Sequence, residues 1–215
     1  INVKVKSNEE SEINGMGPVI RKEDLELLYE QLDTLKDDDV LVLAGSIPSG
    51  MPQSIYRDIM SRLQSKRIKI AVDATKDLLM NVLAYHPFVI KPNNHELSEI
   101  FDIMIDSKEK AVVYAKELQK KGAQNVIVSM AGEGAVFVGS DGSVFTSEAP
   151  HGVVKNSVGA GDSMVAGFLA GYLAKGDYAE AFKMGLCTGS ASAFSDQLAT
   201  REEVEQVRRS HIFDF

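Results

Sequence analysis

The chain has 215 residues, 44% of them hydrophobic, and 23 Lys and Arg against 31 Asp and Glu give it a net charge of −8. That length supports one substantial core. The acidic balance argues against a nucleic-acid surface, which needs clustered basic residues, so any phosphate must be held locally by backbone N–H groups, a helix amino end, a metal ion or one or two selected lysines.

No stretch approaches the ~20 consecutive apolar residues of a membrane helix, and the first residues carry charges in place of the apolar block of a signal peptide. The single cysteine, Cys187, cannot close an internal disulfide. These features predict no membrane partner, no nucleic-acid partner, a cytoplasmic location and a core-filling role for Cys187. The four histidines, His86, His95, His151 and His211, show no ligand spacing that suggests a transition-metal site.

In chain order, Ile1-Asn2-Val3-Lys4-Val5-Lys6 alternates with period two, as a half-buried strand does, and Asn14-Gly15-Met16-Gly17-Pro18 separates it from the rest of the chain. Residues 1–18 are therefore read as a small β appendage and residues 19–215 as the main core. Leu25, Leu28, Leu32 and Leu35 form a helical stripe ahead of the apolar run Val40–Ala44. Further buried strands are predicted at 68–72, 88–90 and 126–129, and helices at 55–63, 78–84, 96–101 and 111–121. Unbroken apolar runs fit strands covered on both faces, so the pattern predicts a layered α/β domain with a mostly parallel sheet. A hairpin is expected at 135–146 around Gly139-Ser140-Asp141-Gly142, with two Gly/Ala/Ser-rich helices after it at 162–174 and 178–194.

The stretch that carries chemistry is Asn156-Ser157-Val158-Gly159-Ala160-Gly161-Asp162-Ser163, directly before a helical pattern. Two glycines flanking a small residue leave N–H groups unobstructed at a helix amino end, where orphan donors and the helix dipole favour an anion. An Asp closing such a loop can take the proton of a hydroxyl as it attacks phosphorus. The alternative is that Asp162 or Ser157 caps a helix and the glycines serve packing.

The run Val158-Gly159-Ala160-Gly161-Asp162-Ser163 resembles the signature of the PfkB family of carbohydrate kinases, which have the ribokinase-like fold. The resemblance covers essentially the whole chain. It implies a layered α/β/α domain with a mostly parallel sheet and, in residues 1–18, the remnant of a β lid. It further implies an anion hole from Gly159, Ala160 and Gly161, with Asp162 as catalytic base touching the acceptor sugar.

The turn Lys91-Pro92-Asn93-Asn94-His95-Glu96 comes after a predicted strand, and by spacing alone it is a capping box. It is similar to the family's Asn-x-x-Glu motif, which assigns Asn93 and Glu96 to Mg²⁺ (Glu96 through water) and Lys91 with Asn93 to the nucleotide. Ser129, Gly132 and Gly134, in the turn Ser129-Met130-Ala131-Gly132-Glu133-Gly134, resemble the loop against the ribose and phosphates of ATP, although many members carry Gly where this chain has Ala131. Ser157 and Gly189 fall on the nucleotide side by the same resemblance, with helix packing as the other reading of Gly189.

The turn Gly45-Ser46-Ile47-Pro48 ends a predicted parallel strand, where open α/β sheets bind ligands, although it also reads as loop punctuation. The resemblance makes Ser46 a contact of the sugar phosphate and places Asn2 and Lys4 on the lid. The closest branch acts on phosphorylated ketoses: the implied reaction is ATP-dependent phosphorylation of fructose 1-phosphate to fructose 1,6-bisphosphate. Tagatose 6-phosphate or another ribokinase-like acceptor is the alternative, and a non-catalytic sugar- or nucleotide-binding fragment is the reading from another class. The implied cofactors are ATP and Mg²⁺, with a monovalent cation in some relatives, and the implied partner is a second copy paired through the lid. Members carry a segment ahead of the point matching Ile1, with a sugar-binding Asp and a Gly-Gly-Lys stretch. The chain is therefore expected to be an amino-terminally truncated piece, inactive in isolation.

Overall fold

The computed structural model describes the backbone of Asn2–Lys6 and Glu10–Asn14 and all of residues 17–48 and 50–215. Strands β1 (Asn2–Lys6) and β2 (Glu10–Asn14) form a two-stranded antiparallel sheet, in register from Asn2 opposite Asn14 to Lys6 opposite Glu10. Strand β2 has no counterpart among the predicted elements, because Glu-Ser-Glu-Ile-Asn carries one apolar residue and has no strand pattern of its own.

The main sheet runs in the order β3 (Val40–Ala44), β4 (Lys69–Asp73), β5 (Val89–Ile90), β6 (Asn125–Ser129), β7 (Ala135–Val138), β8 (Val144–Ser147). The first four strands are parallel, and β7 and β8 fold back antiparallel as the expected hairpin. Strand side chains alternate between two cores. Ile70 and Val72 of β4, Ile90 of β5, and Val126 and Val128 of β6 join α1 (Lys22–Asp33), α2 (Ile55–Leu63), α3 (Lys76–Met80), α4 (Asn94–Phe101) and α5 (Lys108–Lys120) on one face. Ala71, Val89, Ile127 and Phe137 meet α6 (Ala160–Lys175) and α7 (Tyr178–Phe194) on the other, with α8 (Arg201–Ser210) packed behind α7. The fully buried Phe137 lies 5.3–5.9 Å, ring to ring, from Phe145, Phe168, Tyr178 and Phe182, and so locks the hairpin to both helices.

Two expectations are corrected, and one helix was not foreseen. Strand β3, at one end of the sheet order, is only partly covered on its second side: Leu43 is buried in the first core and Val40 packs against the second, but Val42 is 46% exposed. The helix expected at 78–84 is the shorter α3 and a separate 3₁₀ turn at Leu83–Tyr85, closed by His86 in the left-handed region (φ 54°). Helix α8 escapes the sequence pattern because only Val204 and Val207 of its ten residues face the core. A full capping box between Thr200 and Glu203 and the basic residues Arg208 and Arg209 in its last turn hold it instead.

Helices α6 and α7 approach closely along Gly167, Gly171, Gly185 and Gly189. A Cβ on Gly167 would fall 2.5 Å from Thr188 Oγ1 and 2.7 Å from the Met184 carbonyl. Gly167→Val is expected to destabilise the fold by about 3 kcal/mol, read as a lower urea midpoint at unchanged slope. Burial pushes the Cys187 thiol up to about 11. Iodoacetamide at pH 8 should therefore leave Cys187 unlabelled in the folded protein and label it in urea.

Candidate active site

In a parallel sheet all carboxyl ends lie along one rim. Here that rim carries, in strand order, Ser46 after β3, Asp73 ending β4, Lys91 after β5 and Ser129 ending β6. Main-chain bonds fix the rim. Gly45 N–H donates to the Asp73 carbonyl (3.2 Å), Lys91 N–H to Val72 (3.4 Å) and Ser129 N–H to Pro92 (3.1 Å), and Asn93 bridges Ser129 in parallel pairing.

At the β3 end, Gly45 turns the chain at φ +85°, which favours glycine. The Tyr56 hydroxyl of α2 donates to the Ala44 carbonyl (2.6 Å) and lies 3.1 Å from that of Gly45. Burial and the charge of Asp73 raise the Tyr56 phenol above its ordinary range, so it stays a donor. Tyr56 thus buttresses the turn that presents the exposed Ser46. Ser49 and the side chains of Asn2 and Lys4 lie outside the described residues. Gly17 passes close to Pro48: a Cβ on it would meet Pro48 Cβ at 3.5 Å.

The α6 amino end sits above the middle of the rim. Asn156 Oδ1 accepts from Val158 N–H (3.2 Å), Gly159 turns at φ +77° as the N-cap, and Ala160 N–H returns to the Ser157 carbonyl (3.3 Å). Ser163 N–H then closes the first helical bond to Gly159 (2.8 Å), which leaves the N–H groups of Gly161 and Asp162 as donors without an intrahelical acceptor. The loop is moored to the end of α7, where the Ala193 carbonyl accepts from both Lys155 and Asn156 N–H (2.9 and 3.1 Å). Inside, the buried Ser192 hydroxyl donates to Ser163 Oγ (2.8 Å) and accepts from Ala199 N–H (3.1 Å). Asp162 itself is exposed in the first turn.

Lys91 rises under this loop. A Cβ on Gly161 would lie 3.2 Å from Lys91 Nζ, so the absence of a side chain there lets an ammonium approach the anion seat. The ammonium pairs with Asp73 Oδ2 at 3.2 Å, with the two side chains 8% and 19% exposed. Burial raises the Asp73 carboxyl above its usual range. Lys91 opposes that rise, and the like charge of Asp162 adds to it. Burial is the largest of these influences, and it outweighs the ion pair because a carboxylate this enclosed loses most of its hydration.

Beside Lys91, Asn93 caps α4: its Oδ1 accepts from Glu96 N–H and its own N–H donates to Glu96 Oε2, both at 2.8 Å. The structure shows the capping reading of this motif, with the Glu96 carboxylate at a helix end that follows the rim. No group of three or more His, Cys, Asp and Glu placed to hold a metal occurs among the described residues. Carboxylates spaced singly along the rim, Glu96 among them, suit a divalent ion held mainly by other oxygens and water.

Two glycines assigned to the nucleotide have packing reasons as well. A Cβ on Gly134 (φ +93°) would collide with the Ser147 carbonyl at 2.0 Å, and one on Gly189 would sit 3.0 Å from the Ala160 carbonyl. Gly132 has open space around its Cα. Ala131 takes the left-handed conformation, φ +47°, at the start of the 3₁₀ turn that contains Gly132 and ends at Gly134. That conformation costs a residue bearing a Cβ about 1–2 kcal/mol, against roughly 0.5–1 kcal/mol of chain entropy that glycine would lose. Ala131→Gly is therefore expected to leave stability unchanged or raise it by up to about 1 kcal/mol, measured by thermal or urea unfolding. The motifs in the sequence do not include Asp73 or Tyr56. Asp73 had a signal, since it ends the apolar run Lys-Ile-Ala-Val-Asp at the same rim as Ser46 and Lys91.

The family model described as pfkB family carbohydrate kinase matches residues 2–203. The 1-phosphofructokinase of Bacillus subtilis is 45% identical over 207 residues, covering 96% of this chain and 68% of that protein. The D-tagatose-1-phosphate kinase of Bacillus licheniformis is 28% identical, with 96% of this chain and 68% of that protein covered. Among solved structures, a putative phosphofructokinase from Staphylococcus aureus superposes with a TM-score of 0.87 at 38% identity, over 97% of this chain and 68% of that one. The chain spans about two thirds of the length of these relatives.

Proposed function

Because the chain belongs to the PfkB family of carbohydrate kinases, we propose that its rim and α6 loop transfer the γ-phosphoryl group of ATP to a hydroxyl of a phosphorylated ketose, fructose 1-phosphate giving fructose 1,6-bisphosphate. The observation that carries the reading is the convergence of three things on one spot: the free donors of Gly161 and Asp162, the Lys91 ammonium beneath them, and the Asp162 carboxylate in the same helical turn.

In this reading Asp162 takes the proton of the attacking hydroxyl. The free N–H groups of Gly161 and Asp162, which the Gly159–Gly161 turn exposes, and the Lys91 ammonium stabilise charge on the transferring oxygens, in a surround that does not need to reorganise. Mg²⁺ on the nucleotide would neutralise phosphate charge, and Glu96 would orient its water shell from a helix end fixed by Asn93. Ser129, Gly132, Gly134, Ser157 and Gly189 border the nucleotide. Ser46, held by Gly45 and Tyr56, takes the sugar phosphate, and Asn2 and Lys4 of the β1–β2 sheet serve as its lid and, in a pair, as the contact with a second copy. A monovalent cation held by backbone carbonyls beside the loop belongs to the same proposal, and so does a working place in the cytoplasm, where ATP is at hand. Among the described residues no helix is long and apolar enough to cross a membrane.

The relative named as a D-tagatose-1-phosphate kinase favours a second acceptor of the same shape, a ketose 1-phosphate of different stereochemistry. ADP release with Mg-ATP and a panel of fructose 1-phosphate, tagatose 1-phosphate, fructose 6-phosphate, tagatose 6-phosphate and ribose separates these readings. With the natural protein that carries this sequence, the largest kcat/KM is expected with fructose 1-phosphate, and turnover of none of them by that protein would reject the kinase reading. Asp162→Asn should lower kcat by ~10²-fold or more while the affinity for ATP stays nearly unchanged, since the base acts in the transition state. Equal activity would remove Asp162 from the mechanism.

A further inference from the structure

We infer that Asp73 is a positioning residue of the phosphoryl-transfer site, holding the Lys91 ammonium under the Gly159–Gly161 loop at the height where the transferring phosphate is to lie. The inference rests on the kinase reading of that loop and assigns a role to a residue outside its sequence motifs.

Strand register brings the two residues together. Strands β4 and β5 are parallel with Val72 opposite Ile90, which puts Asp73 opposite Lys91 at the next step. Side chains alternate along both strands: Val72 and Ile90 enter the core under α1–α5, and Ala71 and Val89 enter the core under α6 and α7. By the same parity Asp73 and Lys91 both leave the sheet toward α6, side by side, and they emerge beneath its amino end. The 3.2 Å ion pair and the 3.2 Å approach of Nζ to the Cβ position of Gly161 are the two ends of that geometry.

A lysine stem has four rotatable carbons, and its ammonium is a point charge without the fixed fork of an arginine. Its direction here must be set from outside. Asp73 supplies the anchor from the sheet side, and the carboxylate is almost as buried as the ammonium it holds. The anchor also answers a charge problem: with Asp73 and Asp162 close enough to interact as like charges, the ammonium between sheet and loop keeps the seat receptive to another anion. Removing Asp73 would leave a buried cation free to swing toward Asp162, the remaining carboxylate, and away from the loop.

The test is a double-mutant cycle on Asp73→Asn, Lys91→Met and the pair in the natural protein that carries this sequence, with kcat and both KM values measured alongside the unaltered protein and melting curves recorded for each. Because a displacement of about 1 Å in a positioning group can cost on the order of 10²-fold in rate, Asp73→Asn is expected to lower kcat by about 10- to 100-fold with the sugar-phosphate KM within about threefold. If Asp73 acts through Lys91, the double variant is no slower than Lys91→Met alone. A kcat for Asp73→Asn within about twofold of the unaltered protein overturns the inference, and so do losses that multiply in the double variant, which would show Asp73 acting separately from Lys91. Should Asp73→Asn melt below the assay temperature, Asp73→Glu keeps the charge while displacing the ammonium by one methylene, and its kcat is read by the same criteria. An unaltered protein that turns over none of the panel sinks the kinase reading and the inference with it; an active one leaves the variants to decide the inference alone.

Discussion

Four parallel strands that end along one rim are the constraint on which the rest of this structure depends. Parallel pairing requires a crossover between each strand and the next, which is why α2, α3 and α5 lie where they do, and why the turns after β3, β4, β5 and β6 all open on the same side. Ser46, Asp73, Lys91 and Ser129 are separated by up to 83 positions in sequence, yet each needs only to follow its own strand to arrive beside the others. No long-range side-chain recognition has to assemble the site. The sheet does so as it forms.

The second support comes from the face opposite. The α6 amino end can work as an anion seat only if the helix stays put over β5, and its hold is unusually direct, since small residues let α7 approach to backbone distance along four glycines. The Ser163–Ser192 bond and the double use of the Ala193 carbonyl continue that contact up to the loop itself. Helix α6 has little amphipathic character because it is buried on several sides at once, as Met164, Val165, Gly167, Phe168 and Leu169 are all inaccessible. Rigidity near Asp162 is thus a product of packing far along the helices.

Much of this was legible in the amino acids, for physical reasons that differ from element to element. The runs at 68–72 and 126–129 could be read because a strand with helices on both faces has no polar side to disguise it, the run at 40–44 because it is apolar throughout, and the Gly-Ala-Gly-Asp loop because few residues tolerate that geometry. Strand β2 and helix α8 were hidden because their stability comes from pairing and capping and not from an apolar pattern. The half-covered state of β3 could not be foreseen, since Val40-Leu41-Val42-Leu43 is equally apolar on its open side. Asp73 and Tyr56 belong to a third kind. Each is an ordinary residue type at an unremarkable place, and only the register and the fold of the β3 turn give it a neighbour to act upon.

The Asn93–Glu96 capping box has a consequence for how such chains change over time. Its carboxylate holds a helix end through one oxygen whether or not a nucleotide is ever bound. A descendant that drifted away from catalysis would still be selected to keep Asn93 and Glu96 for folding. Asp162, exposed and with no such structural duty, would be released to vary first. With Asp162 as the proposed base, a surviving cap would be a record of ancestry, and the residue in the first turn of α6 the one that tells whether the chemistry is still alive.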